Sequence, residues 1–205
     1  MRSLKIILIT LMIAIATGCA STATYMREST SQNLTTVPAD KARIVFLRSS
    51  FVGSAISAVV SEVADSEPKF VGVLQNGRKI AYDVPAGKRL FMVTSESADF
   101  LEANLAAGKT YYAFVTPRMG VWKARFSFVA AKTTADGLFK LGSEEFNKTL
   151  ANNKLEEKTP EGEKWFSENI RDIKEKQNEY WVKWNSTEKS SPERANQTLN
   201  IGDSL

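Results

Sequence analysis

The sequence predicts a mainly β protein, an antiparallel β-sandwich with a C-terminal amphipathic α-helix. Three observations lead to this fold class. Strand-like segments separated by turn residues follow one another over residues 42–132, several of them alternate apolar and polar side chains, and the apolar spacing changes to a helical period beyond residue 159. A chain of 205 residues is long enough to bury a substantial core.

The first 18 residues have the features of a lipoprotein signal peptide. Arg2 and Lys5 precede an apolar run over residues 6–16. At about 1.5 Å of rise per residue, this run spans roughly 17 Å and is too short for a membrane core of about 30 Å. The letters ATGC that follow resemble a bacterial lipobox, which predicts a lipid on Cys19. Ordinary signal cleavage, giving a soluble secreted protein, is the alternative.

A lipid on Cys19 makes the membrane the first expected partner. Cys19 is the only cysteine, so no internal disulfide can form, and lipidation accounts for this residue better than redox chemistry does. Several acyl chains on one cysteine give durable anchoring. Ala20 follows where Asp would retain a lipoprotein, so we expect the periplasmic face of the outer membrane in a diderm host. Residues 19–41, rich in Ser and Thr, are predicted to be a flexible tether.

Residues 42–132 carry the strand signals. The segment ARIVFLR at 42–48 alternates its apolar faces, and a second strand is predicted near Ile56–Val63, followed by a turn at Asp65–Pro68. Asn76-Gly77, flanked by two apolar arms, predicts a two-residue β-hairpin. Roughly eight short strands result, which favours an antiparallel sandwich over a parallel sheet.

The tripeptide Ala-Gly-Lys occurs twice, at 86–88 and 107–109, each time ahead of a β-favouring segment. The second copy matches the end of a phosphate-binding P-loop. However, the position that needs the first glycine is Ala103, and a strand rather than a helix is expected next. The repeat therefore predicts two turns that lead into strands, and no nucleotide site.

Residues 133–187 are predicted to be a helical extension packed on the sandwich. Ser143 is expected to cap a short helix, and Thr159 followed by Pro160 predicts the start of a longer one. Six residues of the longer helix share an apolar side, and we call them the aromatic stripe: Trp165, Phe166, Ile170, Ile173, Trp181 and Trp184. The polar residues 188–205 are predicted to be a disordered tail.

The aromatic stripe allows two interpretations. It is expected to pack mainly against the sandwich, because a helix gains most of its stability by burying such a stripe. Alternatively, it is a docking face for an envelope protein partner. Contact with an anionic membrane surface fits less well, since the polar side of the helix mixes acidic residues with its lysines.

Little in the sequence supports catalysis. The chain has no histidine, which removes the commonest general base and zinc ligand, and its one cysteine is assigned to the lipid. A hydrolase would need two carboxylates facing a cleft, and the candidates are Asp83, Glu96, Asp99 and Glu102. We predict no enzyme activity, no cofactor and no metal site. Nucleic acid is not an expected partner either, because the 27 basic and 23 acidic side chains form no arginine-rich stripe.

Three segments carry a family resemblance: RIVFLR, VLQNGRKIAYDVPAGKRLFMV and LEANLAAGKTYYAFV. With their Gly-Lys-Thr-Tyr-Tyr strand entry, they make residues 42–130 similar to a family of small bacterial lipoproteins classed as a domain of unknown function. The letters VPAG also resemble the PEGA repeat of surface proteins. The resemblance implies a transthyretin-like or immunoglobulin-like sandwich and supplies no catalytic residue.

The sequence therefore predicts a non-catalytic, lipid-anchored envelope protein that acts as a structural or interaction module. A carboxylate-dependent periplasmic hydrolase or a glycan-binding protein is the alternative.

Overall fold

The computed structural model describes residues 24–50, 56–118, 125–188 and 191–205. Within them the chain forms eleven strands in two sheets and four α-helices, so the predicted mainly β class is confirmed. The predicted signal peptide and the predicted lipid site at Cys19 lie outside the described residues.

The strands in chain order are β1 (Met26–Glu28), β2 (Lys41–Arg48), β3 (Ala58–Ala64), β4 (Glu67–Leu74), β5 (Arg78–Pro85), β6 (Gly87–Thr94), β7 (Ala98–Leu105), β8 (Thr110–Arg118), β9 (Arg125–Ala130), β10 (Lys154–Lys158) and β11 (Thr198–Leu199). The helices are α1 (Glu144–Asn152), α2 (Pro160–Glu168), α3 (Ile170–Ser186) and α4 (Pro192–Asn196). One sheet has six strands in the order β1-β10-β5-β2-β8-β9, and the other has five in the order β11-β7-β6-β3-β4.

Both sheets are mixed, but antiparallel neighbours predominate in them, as expected for the predicted antiparallel sandwich, and three pairs of strands are parallel. β2 runs parallel to β8, β5 to β10, and β7 to β11, whereas the other neighbours are antiparallel. The cause is the path of the chain, which passes from one sheet to the other between β2 and β3, β4 and β5, β5 and β6, β7 and β8, and β10 and β11. Strands that follow one another in sequence are therefore often not partners.

The predicted hairpin at Asn76-Gly77 is wrong for the same reason. The turn is present, but its two arms belong to different sheets. β4 pairs with β3, and β5 pairs with β2 over its whole length, from Lys41–Pro85 to Arg48–Arg78. A turn-forming dipeptide specifies only that the chain reverses direction, and here longer ladders with other strands decide the pairing of both arms.

The two Ala-Gly-Lys copies form turns that lead into strands, as predicted. Gly87 and Gly108 have φ angles of 111° and 73°, in the region that side chains other than glycine rarely adopt. Each turn carries the chain from one sheet to the other, between β5 and β6 and between β7 and β8. The repeat therefore marks two corners of the sandwich.

The two sheets face each other across a shared hydrophobic core. Phe46 of β2 points into this core, where its ring centroid lies 5.3 Å from that of Phe91 in β6. Its neighbours Val45 and Leu47 point the other way, into a second core that includes Phe146 of α1. Because β2 is buried on both faces, its sequence is nearly continuous in apolar residues.

The helices begin at the predicted caps. Ser143 Oγ accepts a hydrogen bond from Phe146 N at 3.1 Å, and Thr159 Oγ1 accepts one from Gly162 N at 3.0 Å. The predicted longer helix is interrupted at Asn169, where α2 ends and α3 begins. Together α2 and α3 cover the face of the five-stranded sheet that points away from the shared core.

Both ends of the described chain are held by the sheets. β1 pairs with β10 and buries Met26, so the predicted tether over 19–41 is wrong where it includes this strand. The prediction of a disordered tail is wrong for residues 191–205, because α4 and β11 pack along β7 and β9. Arg194 and Gln197 of this tail are only 1% and 2% exposed. A hydropathy pattern does not predict that these two residues are buried, because both side chains are polar.

Candidate functional site

The aromatic stripe packs onto the outer face of the five-stranded sheet. Its three buried residues are Phe166, Ile173 and Trp184, and the three that are partly buried against the same core are Trp165, Ile170 and Trp181. Phe166 stacks on Phe70 of β4 with ring centroids 4.9 Å apart, and Trp184 lies 5.4 Å from Phe100 of β7. Most of the stripe is thus occupied by the chain's own sheet.

Trp184 belongs to a closed polar network that we call the clasp, made of Trp184, Asp99, Arg118, Arg194 and Gln197. Trp184 Nε1 donates to Gln197 Oε1 at 2.7 Å, and Gln197 Nε2 donates to Asp99 Oδ2 at 2.6 Å. The guanidinium of Arg194 lies 3.4 Å above the Trp184 ring and donates to the Trp184 carbonyl at 2.8 Å. The clasp fastens the C-terminal tail to β7 and α3.

Burial controls the protonation of Asp99. Its side chain is 7% exposed, and burial raises its pKa from 3.8 to about 6, although Arg118 at 3.4 Å favours the charged form. A carboxyl group with a raised pKa can serve as a general acid. Asp99 faces its partners in the clasp, however, and it lines neither of the two cavities described below. We therefore assign it a structural role.

A cleft of about 680 Å³ opens at one end of the five-stranded sheet. β3 and β6 pair only from Val59–Thr94 to Glu62–Phe91, although both strands continue beyond that point. The gap between them forms the cleft, whose chemically important lining residues are Glu62, Lys69, Lys88, Arg89, Glu102 and Trp181. Its volume falls in the range of small-molecule sites.

Glu62, on the β3 side of the cleft, is already paired. It accepts a hydrogen bond from Tyr82 Oη at 2.9 Å and lies 3.5 Å from Arg89 Nη1. Burial, together with the neighbouring Glu62 carboxylate, raises the pKa of Tyr82 well above its usual range. The Tyr82 hydroxyl therefore remains a donor to Glu62.

Glu102, on the β7 side, is also paired, because its Oε2 lies 3.1 Å from Arg194 Nη2. The pairing register directs Glu62 to the face of Phe91, which is the core side, and Glu102 to the face of Leu90, which is the opposite side. Two carboxylates of a glycosidase flank one scissile bond. Glu62 and Glu102 do not have that arrangement.

Two lysines of the cleft have no partner among the residues that the structure describes. They are Lys69 of β4 and Lys88 of β6, and both are exposed. Their ammonium groups each carry three hydrogen-bond donors and a positive charge. By the pairing register Lys69 lies on the face of Glu62, whereas Lys88 lies on the opposite face, that of Glu102. The partly buried Trp181, which packs on Phe100, contributes an aromatic surface on the face of Lys88. The cleft can therefore offer both charge and apolar area to a ligand.

The β3–β4 turn forms one rim of the cleft. Asp65 and Ser66 have φ angles of 52° and 66°, a left-handed conformation that costs non-glycine residues about 1–2 kcal/mol each. Gln177 Nε2 donates to the Ser66 carbonyl at 3.2 Å, so α3 holds the turn in place. The turn is shorter than the predicted Asp65–Pro68, because β4 begins at Glu67.

The structure does not bring together the four carboxylates that the sequence suggested for a hydrolase. Asp83 lies on the six-stranded sheet, where an arginine of β2 donates to it at 2.6 and 2.8 Å. Asp99 is enclosed in the clasp, and Glu96 lies between β6 and β7. Only Glu102 lines the cleft. The sequence does not indicate that Glu62 lines the cleft, because one charged residue in AVVSEVA is typical of a solvated strand.

One further pattern, Ser66-x-x-Lys69, has the spacing found in some serine hydrolases. A serine nucleophile needs its base within hydrogen-bond reach. Ser66 lies in the β3–β4 turn, Lys69 lies on β4, and no hydrogen bond joins these two described side chains. The spacing therefore gives no support for a nucleophile.

A smaller cavity of about 240 Å³ lies where α2 meets α3. Tyr25 and Trp165, whose ring centroids are 4.9 Å apart, line it together with Thr94. Its charged residues, Asp172 and Lys176, already bond to each other at 2.8 Å. We place the candidate site in the larger cleft, where Lys69 and Lys88 have no partner among the described residues.

Within the residues that the structure describes, no cluster of histidine, cysteine or carboxylate side chains could hold a metal ion, and no helix is long and apolar enough to span a membrane. The sequence matches no protein-family model and no curated protein. The similarity of residues 42–130 to small lipoproteins thus stays a prediction.

Proposed function

We propose that this chain is a non-catalytic binding module of the bacterial cell envelope. A lipid on Cys19 holds it at the periplasmic face of the outer membrane, and the cleft between β3 and β6 receives its ligand. The membrane is then one partner and the occupant of the cleft is the other.

The cleft is the observation that carries this proposal. It combines a volume of about 680 Å³ with Lys69 and Lys88, whose charges are unpaired within the described chain. The aromatic stripe, by contrast, has its contacts within the protein. Docking through the helix face would require α2 and α3 to leave the sheet, whereas ligand binding in the cleft requires no such change.

The arrangement of carboxylates supports binding rather than hydrolysis. Glu62 and Glu102 are paired with Arg89 and Arg194, and they point to opposite faces of one sheet. Acid–base hydrolysis of a glycoside needs two carboxyl groups that flank the same bond. The cleft provides donors and an aromatic ring, which are sufficient for recognition.

The anchoring half of the proposal is tested by Cys19→Ser. The variant should move from the membrane fraction to the soluble fraction, and the native protein should carry the added mass of its acyl chains in mass spectrometry. Membrane association that survives the substitution, in a native protein without added mass, would contradict anchoring at Cys19.

The binding half is tested by placing a photo-crosslinking amino acid at Lys88 in living cells. Adducts with an envelope component should form from this position. Lys148, an exposed lysine of α1, provides the matched control position and should give no adduct of the same size. Equal labelling from both positions would show that the cleft is not a preferred binding surface.

A further inference from the structure

We propose that the cleft binds an acidic saccharide, that is, a sugar bearing a carboxylate or phosphate group. This inference rests on the proposed function, since it names the ligand class of the same cleft. Two observations support it independently: the balance of charge around the cleft and the presentation of Trp181.

The charge balance favours an anion. Of the three acidic residues that line the cleft, Glu62 and Glu102 are paired with Arg89 and Arg194. The third, Asp65, lines the cleft together with two cations that have no partner in the described chain, Lys69 and Lys88. A surplus of unpaired ammonium groups favours a carboxylate or phosphate, because hydrogen bonds between oppositely charged groups are the stronger ones.

Trp181 favours a sugar as the carrier of that charge. Its ring is braced by the Trp184 ring, with centroids 5.4 Å apart and planes at 26°, and by the edge of Phe100 at 5.1 Å. A braced indole provides a flat apolar surface for the C–H face of a pyranose ring. Asn104 and Asn200 also line the cleft, and their amides can both donate to and accept from hydroxyl groups.

The rim of the cleft is preorganised. The β3–β4 turn is held from α3 by the hydrogen bond from Gln177 to the Ser66 carbonyl and by an ion pair between Lys174 and Glu67 at 2.5 Å. A rim that is already ordered loses little conformational freedom when a ligand binds. The site therefore suits a small rigid ring better than a flexible peptide, which would have to be ordered on binding.

The test is calorimetric titration of the detergent-solubilised full chain with matched pairs of ligands. One pair is tri-galacturonate and its methyl ester, which differ only in charge at the carboxyl groups. A second pair is glucose 6-phosphate and glucose, which distinguishes a phosphate from a carboxylate as the preferred acid. Acetate and inorganic phosphate serve as anions without a sugar.

We expect at least one acidic sugar to bind about tenfold or more tightly than its neutral counterpart, as the loss of a charge-assisted hydrogen bond implies. The double variant Lys69→Gln, Lys88→Gln should remove this preference. The double variant Lys140→Gln, Lys148→Gln changes the charge equally at exposed positions away from the cleft and should bind like the parent. Trp181→Leu should weaken both members of a pair by a similar factor, since both present the same ring.

Three results would overturn the inference: equal binding of acidic and neutral sugars, binding of the free anions as tight as that of the sugars, or no sugar binding at all. None of these alone removes the proposed function, which fails separately if crosslinking at Lys88 does not exceed that at Lys148. A crosslinked protein partner together with no sugar binding would leave a binding module of a different ligand class.

Discussion

Trp181 and Trp184 lie one helical turn apart on α3, and their rings stack on each other, but they belong to regions with opposite chemistry. In the clasp, Trp184 and Asp99 both bond to Gln197 of the tail, so the polar groups of these two residues have partners in the chain. In the cleft, which Trp181 also lines, Lys69 and Lys88 have no partner among the described residues. The comparison teaches that similar residue types stabilise the fold where the chain satisfies them, and that they stay available to a ligand where it does not.

The largest expected effect comes from removing residues 159–205, which deletes the helix layer and one half of the clasp. Phe70 and Phe100 would lose the aromatic rings that cover them, and an uncovered apolar face of this kind leads to aggregation. We expect the remaining chain to lack a cooperative melting transition in circular dichroism.

A shorter truncation that removes only residues 191–205 separates the two contributions. It keeps the aromatic stripe but removes Arg194 and Gln197 from the clasp, so we expect a folded protein with a lower melting temperature. If the longer truncation also left a stable, soluble domain, the helices would be a docking face and not part of the core.

The two tryptophans can be compared directly by alanine substitution. Trp184→Ala should lower the free energy of unfolding by about 3–5 kcal/mol, because it removes a buried ring and orphans its polar partners. Trp181→Ala should cost only about 1–2 kcal/mol, since its side chain is partly exposed. Denaturant titration of both variants measures the difference. Equal losses would contradict the distinction between clasp and cleft.

The clasp should also make stability depend on pH through Asp99. Its pKa of about 6 in the folded protein lies above the ordinary value of 3.8, so the folded state holds a proton that the unfolded state has released. The contribution of Asp99 is therefore greatest below pH 4 and is lost as the pH rises to about 6, by up to about 3 kcal/mol.

Comparison with Asp99→Asn isolates the contribution of Asp99 ionisation to stability, because asparagine keeps an oxygen for Gln197 and cannot ionise. The difference in unfolding free energy between parent and variant should change between pH 4 and 6 and be constant above pH 7. A difference that is flat over the whole range would show that Asp99 keeps an ordinary pKa.

The smallest effect on stability is expected in the cleft itself. Lys69→Gln and Lys88→Gln remove side chains without partners in the described chain, so each should change the free energy of unfolding by less than about 0.5 kcal/mol. Thermal denaturation of these variants checks this. A large loss of stability would mean that the lysines hold the fold and are not available to a ligand.

Local signals in the sequence predicted local structure well. Ser143 and Thr159 cap the helices that they were expected to cap, and the two Ala-Gly-Lys turns lead into strands. These features depend on a few neighbouring residues and on hydrogen bonds within one turn of chain. The alternation along β2 likewise predicts that its side chains are buried. It does not predict which of the two cores each face of the strand contacts.

Long-range features were not predictable in the same way. The sequences of the two strands around Asn76-Gly77 do not indicate which sheet each strand joins, because apolar residues are suited to either sheet. The tail was missed since Arg194 and Gln197 are buried by hydrogen bonding and stacking, which hydropathy does not register. The cleft was missed because Lys69 and Lys88 resemble ordinary exposed lysines until β3 and β6 are seen to separate.

The strand β1 would limit how far the protein could reach from the proposed anchor at Cys19. If the proposed lipid is on Cys19, the ordered chain at Thr24 is only five residues away, a leash of at most about 18 Å. A fully extended chain from residue 19 to 41 would instead reach about 75 Å. Pairing of β1 with β10 thus converts a long tether into a short one. A domain on such a leash would sample only the layer next to the bilayer, and the proposed ligand would then have to lie in that layer.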